Sequence, residues 1–97
     1  MAGRISSPVN KALMTWVVGN VLELAVERGI SARELALACN VSLSYWAVAR
    51  GRSSGVSLYV LCRAAQKLEV DPSALLPSLD KYRAIRQCAL GSESEGV

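Results

Sequence analysis

The chain has 97 residues, a formal net charge of +3 and 52% hydrophobic residues, with no phenylalanine and no histidine. That length supports one domain around a single modest core, and the apolar fraction is too high for a disordered chain. Without histidine there is no His-ligated zinc, no Ser-His-Asp or Cys-His pair and no imidazole acid–base chemistry.

A glycine-rich phosphate loop and a nucleophile–base pair are also missing from the sequence, so the chain reads as a non-enzyme with no cofactor and no metal. Cys39, Cys62 and Cys88 are odd in number and far apart. That spacing argues against a disulfide framework or a metal knuckle, and buried thiols in a reducing cytosol are expected. Two of the eight acids, Glu93 and Glu95, fall in the last seven residues, so the remainder is more basic than the net charge states. Such a balance suits a polyanionic partner. The most apolar run, residues 12–26, is interrupted by Thr15, Gly19, Asn20 and Glu23. It is shorter than the roughly 20 residues a membrane span needs, and the N-terminus lacks a signal-peptide pattern. A soluble, cytoplasmic protein without membrane contact is expected.

In chain order, residues 1–7 form a flexible arm carrying Arg4. Ser7-Pro8 starts the first helix, serine as N-cap and proline where its missing N–H costs nothing. That helix runs to about Arg28, and Gly29 stops it. Ser31 and Glu34 form a capping box that opens a second helix to about Cys39. Asn40 tolerates the left-handed conformation of a sharp turn, and Ser42 caps a third helix to about Arg50. Residues 51–55 (GRSSG) are a loop. Ser57 caps a fourth helix with Leu58, Leu61, Ala65 and Leu68 at helical spacing. Asp71-Pro72 opens a short fifth helix that Pro77 must end, and Ser78 caps a sixth over residues 79–90. A disordered tail, 91–97, follows. No segment alternates like a strand, so the fold is all-α, with residues 8–77 as the domain proper.

Two short helices joined by a tight turn make a helix-turn-helix. Ala36 is small where the helices cross, Asn40 permits the turn and Val41 plugs the core behind it. Leu35, Trp46 and Ala49 face inward. Over residues 17–76 the sequence resembles the Cro/phage-repressor (XRE-type) helix-turn-helix family. The residues that carry the resemblance are Gly29-Ile30-Ser31, Leu35-Ala36, Asn40-Val41-Ser42, Trp46 and Ala49. Ser57-Leu58, Leu61, Ala64-Ala65, Leu68-Glu69-Val70 and Leu75-Leu76 continue it. The resemblance implies a lambda-repressor-like domain of five to six helices. It further implies a transcriptional regulator, a repressor by analogy, that binds a palindromic DNA operator as a homodimer with residues 42–50 in the major groove.

The departures bear on function. The family's phosphate-holding glutamine at the start of the second helix is Ala32, and the positions of a common buried ion pair are Ala25 and Arg50. With Val41, Trp46 and Ala49 inward, Leu43, Ser44, Tyr45, Ala47 and Val48 face outward as base contacts, of which only Ser44 and Tyr45 can hydrogen-bond base edges. Phosphate contacts fall to Ser31, Arg33, Ser42, Arg50, Arg52, Ser53, Ser54 and Ser57. Specificity then leans on DNA shape, methyl contacts and dimer spacing.

The first helix is apolar nearly all round and must be covered on two sides. Val17, Val21 and Leu24 are its expected core stripe. Met14, Trp16, Val18 and Leu22, with Tyr82 and Ile85 of the last helix, are the expected dimer interface; packing of the last helix within the chain is the alternative. The rival function is a protein-interaction module, antitoxin-like or binding a partner regulator, whose third helix has turned apolar. Against it stands the stretch 35–68, which holds Arg50, Arg52, Arg63 and Lys67 and no acid.

Overall fold

The computed structural model describes residues 8–50 and 56–94, the side chains of 50 and 92–94 excepted. The helices are α1 (Pro8–Glu27), α2 (Ala32–Cys39), α3 (Tyr45–Arg50), α4 (Leu58–Leu68) and α5 (Leu79–Ser94), with a 3₁₀ turn at Pro72–Leu75 between the last two. Among the described residues there is no strand, and the fold is all-α, compatible with a small helix-turn-helix domain. No described helix is long and apolar enough to cross a membrane. The expected arm at 1–7 with its Ser7 cap, and the end of the tail at 95–97, lie outside the described residues.

The helix boundaries follow from local chemistry. The Ser31 capping box forms in full: Ser31 Oγ accepts from Glu34 N–H at 3.1 Å, and Ser31 N–H donates to Glu34 Oε1 at 2.9 Å. Ser57 Oγ accepts from Val60 N–H, Ser78 Oγ from Lys81 N–H and Asp71 Oδ1 from Ser73 N–H.

Three helix ends share one closure. Gly29, Asn40 and Glu69 adopt positive φ of 69°, 62° and 60°. After each, the next N–H reaches back five residues: Ile30 to Ala25 O, Val41 to Ala36 O and Val70 to Ala65 O. This is the Schellman pattern, and it satisfies orphan carbonyls of the last turn. In every case the branched apolar residue that follows, Ile30, Val41 or Val70, is packed against the core.

Helix α1 is the hub, touching α2, α3, α4, the 3₁₀ turn and, most extensively, α5. Its buried stripe is Val17, Val18, Val21 and Ala25. Leu35, Ala36 and Cys39 of α2, Trp46 and Ala49 of α3, and Leu75 meet it in one cluster with α4. Asn20 Nδ2 donates to Ala74 O and Arg28 Nε to Leu68 O, tying α1 to the far end of the chain.

Several expectations are corrected. Val18, placed in a dimer interface, is fully buried, and Leu24 is only partly so. The covered stripe of α4 is Val60, Ala64, Ala65 and Leu68, while Leu58 is 72% exposed and Leu61 half-buried. Close packing of α4 on α2 favours the face bearing two adjacent alanines. Helix α5 continues through Gly91 to Ser94, beyond the expected end at 90. It packs on α1 within the same chain, so Trp16 and Ile85 face each other across an intramolecular groove. Met14, Leu22 and Tyr82 are half-buried. Of the cysteines only Cys39 is buried; Cys62 and Cys88 are exposed. Burial raises the Cys39 thiol above its usual range, against an opposing pull from Arg63.

A left-handed conformation costs an L-residue with a Cβ roughly 1–2 kcal/mol. Glu69→Gly is therefore expected to raise unfolding free energy by about 1 kcal/mol, and Gly29→Ala to lower it by about as much, although open space surrounds Gly29. Urea denaturation of the two variants checks both signs.

Glu34 and Asp71 supply a pH signature. Ser31 N–H, then the Ser31 hydroxyl and nearby Lys67, hold Glu34 below the usual carboxylate range. Ser73 N–H and hydroxyl do the same for Asp71. Folded values below the unfolded ones mean a contribution that is complete above the unfolded value of about 4 and lost as pH falls through the folded values. The urea midpoint should fall below about pH 4, and a Glu34→Gln/Asp71→Asn variant should fall less steeply.

Candidate nucleic-acid interface

Helices α2 and α3 are joined by residues 40–44, and α3 starts later than its expected Ser42 cap. Tyr45 N–H donates to Ser42 O at 3.0 Å, a turn that precedes the helix, and Val48 N–H donates to Ser44 O at 3.0 Å. The Asn40–Val41 closure pulls the chain toward the core, and the turn reorients it before the α-helical ladder begins.

A six-residue helix is held from outside, since isolated helices shorter than about 12–15 residues are marginal in water. Trp46 is 2% exposed and is the largest fully buried side chain, with Ala49 buried one turn later. The Tyr45 and Trp46 rings meet edge to face, 5.3 Å between centroids at 86°. Tyr45 is half-buried and packed on the core, so the free outward reader expected there is in part a packing residue. Trp46 Nε1–H has no hydrogen-bond partner among the described residues.

The opposite face of α3 and its entering turn is open. Ser42, Leu43, Ser44, Ala47 and Val48 are exposed, Leu43 by 54% and Val48 by 43%. This face carries two hydroxyls and otherwise methyl groups, and could touch thymine methyls while offering few hydrogen bonds to base edges.

Ser31, Arg33 and Ser57 are exposed at the starts of α2 and α4. The Arg50 side chain, Arg52, Ser53 and Ser54 lie outside the described residues. Leu58 and Tyr59 add exposed apolar surface at the start of α4, and Leu37 adds more on α2.

Two charged residues, Arg63 and Glu34, are committed to the fold in ways that bear on this surface. Arg63 donates from Nε (3.1 Å) and Nη2 (2.8 Å) to Ala38 O, and its guanidinium lies 5.9 Å from the Tyr59 ring centroid. It clamps the middle of α4 to the end of α2, so it is spent on the fold. Glu34 places a carboxylate against the opening amides of α2, the end where a phosphate would dock. The serine–x–x–glutamate spacing was visible in the sequence, but not its consequence for an incoming anion.

Among the described residues no group of three or more His, Cys, Asp or Glu side chains could hold a metal ion. No family model, curated protein or solved structure matches the chain.

Removing Trp46 tests how α3 is held. Trp46→Ala is expected to cost about 3–5 kcal/mol, a large part of the roughly 5–15 kcal/mol that stabilises a small domain. Trp46→Phe should cost far less, because it also removes a buried unpaired N–H worth about 1–3 kcal/mol. Chemical denaturation of both variants gives the comparison.

Proposed function

We propose that this chain is a cytoplasmic DNA-binding transcriptional regulator of the Cro/phage-repressor kind. In this reading it is a repressor that engages a palindromic operator as a homodimer, with α3 in the major groove. The observation that carries the reading is α3 itself. Trp46 and Ala49 hold it against the core, its opposite face is exposed, and residues 35–68 contain no acid. Leu43, Ala47 and Val48 meet the groove floor, and Ser44 and Tyr45 supply the direct hydrogen bonds. Ser31, Arg33, Ser42, Arg50, Arg52, Ser53, Ser54 and Ser57 hold phosphates. Grip comes mainly from the backbone contacts, and discrimination from two half-sites and DNA shape.

The second reading, a protein-interaction module, is favoured by the exposed Leu37, Leu43, Val48, Leu58 and Tyr59.

A salt titration of duplex binding separates the two. Binding through phosphates weakens with a log–log slope of about −0.9 per phosphate contacted, and no binding to any duplex at low salt leaves only the protein module. Arg50→Ala and Arg52→Ala are expected to weaken all sequences alike, and Ser44→Ala to alter sequence preference. Glu34→Gln, which keeps an acceptor for the cap but removes the charge, is expected to tighten DNA binding.

A further inference from the structure

Helices α1 and α5 leave between them an open surface groove of about 630 Å³. Its walls are apolar: Ala12 and Trp16 from α1, Ala84 and Ile85 from α5. The Thr15 hydroxyl, also on the wall, donates to Lys11 O in its own helix. Among the described lining residues the only charges are Lys11 and Lys81, one from each helix and both exposed. Lysine lays its methylene stem along apolar surface and keeps its ammonium in water, so each extends a wall and adds a positive charge at the edge.

We propose that this groove binds an amphipathic carboxylate, such as a medium-chain fatty acid, with the chain along Trp16 and Ile85 and the carboxylate between Lys11 and Lys81. Charge selects this occupant. A second copy docking groove to groove would gather four lysines at one apolar contact with no acid among the described lining residues to pair them, and that unpaired like charge opposes the contact. An anionic head meets two cations instead, and the apolar tail takes the remaining surface. The site is independent of the DNA reading, and its test uses no nucleic acid.

Calorimetric titration of the full chain with decanoate, below its micelle-forming concentration, should give saturable one-to-one binding. Decyltrimethylammonium, with the same chain and opposite charge, should bind at least roughly tenfold more weakly, and decanol should fall between them. A Lys11→Gln/Lys81→Gln variant should lose roughly tenfold for decanoate, since exposed charge pairs are individually weak, and change little for decanol. Ala84→Trp, at an exposed position that narrows the groove, should abolish both. Four outcomes would overturn the proposal: no saturable decanoate binding, equal affinity for the cationic amphiphile, indifference to Ala84→Trp, or a wild-type dimer in analytical ultracentrifugation that Ala84→Trp renders monomeric. The last would assign the groove to a second copy of the chain.

Discussion

Burial of one indole ring governs the position of the candidate reading surface. Helix α3 is too short to persist by its own hydrogen bonds, and it is entered through a turn. What keeps it in place is Trp46, 2% exposed, with Ala49 a turn further on and the Tyr45 ring edge-on beside it. The ring stays inside although its N–H has no partner among the described residues. The balance is understandable: a Trp side chain removes 150–250 Å² from water, worth roughly 4–6 kcal/mol at about 25 cal/mol per Å², against a few kcal/mol for one unpaired donor. A chain without phenylalanine has few other pieces of that volume.

The rest of the scaffold relies on helix ends more than on helix middles. Three Schellman closures each deliver a branched apolar residue to the core, Ile30, Val41 and Val70. At the other helix ends Ser31, Ser57, Asp71 and Ser78 each accept the expected amide. Arginines add cross-links between elements: Arg28 holds the last carbonyl of α4, and Arg63 holds Ala38 O near the end of α2. A positive side chain at a helix C-terminus also complements the helix dipole. This use of arginine changes the meaning of the acid-free stretch 35–68. Part of its positive charge is internal glue, and any grip on a polyanion shifts toward Arg33, Arg50, Arg52 and Lys67. Glu34 then sets the balance at the start of α2, because its cap strengthens the helix while its charge opposes an anion arriving there.

The order and type of the elements, most helix starts, and the inward placement of Trp46 and Ala49 were legible in the residues. They depend on interactions three to five positions apart: a serine and an amide, a glycine or asparagine that accepts positive φ, a proline that cannot continue a ladder. Glu69 was not legible as a left-handed residue, because nothing in a glutamate's own preferences asks for that conformation. The closure forms because Val70 gains burial and Ala65 O gains a donor. The expected start of α3 fell early because a separate turn, Ser42 O accepting from Tyr45 N–H, comes before the i to i+4 bonding that begins with Val48 N–H to Ser44 O.

Which face of each helix is covered was decided by the tertiary structure. In α4 the expected stripe with Leu58 and Leu61 and the observed one with Val60 and Ala64 share Ala65 and Leu68. Periodicity alone does not choose between them; the approach of α2 does. In α1 apolar residues spread over more than one face, so the sequence required two covering partners without naming them, and Val18 fell to the core while Trp16 was left at the groove with α5. Helix α5 runs on through Gly91 to Ser94, because a glycine inside a helix costs only roughly 1 kcal/mol and does not by itself end one. The sequence by itself determined where the helices start and turn, through forces acting over a few residues. Only the tertiary structure decided what each helix buries and what it leaves exposed, because burial is a property of neighbours that are distant in the chain.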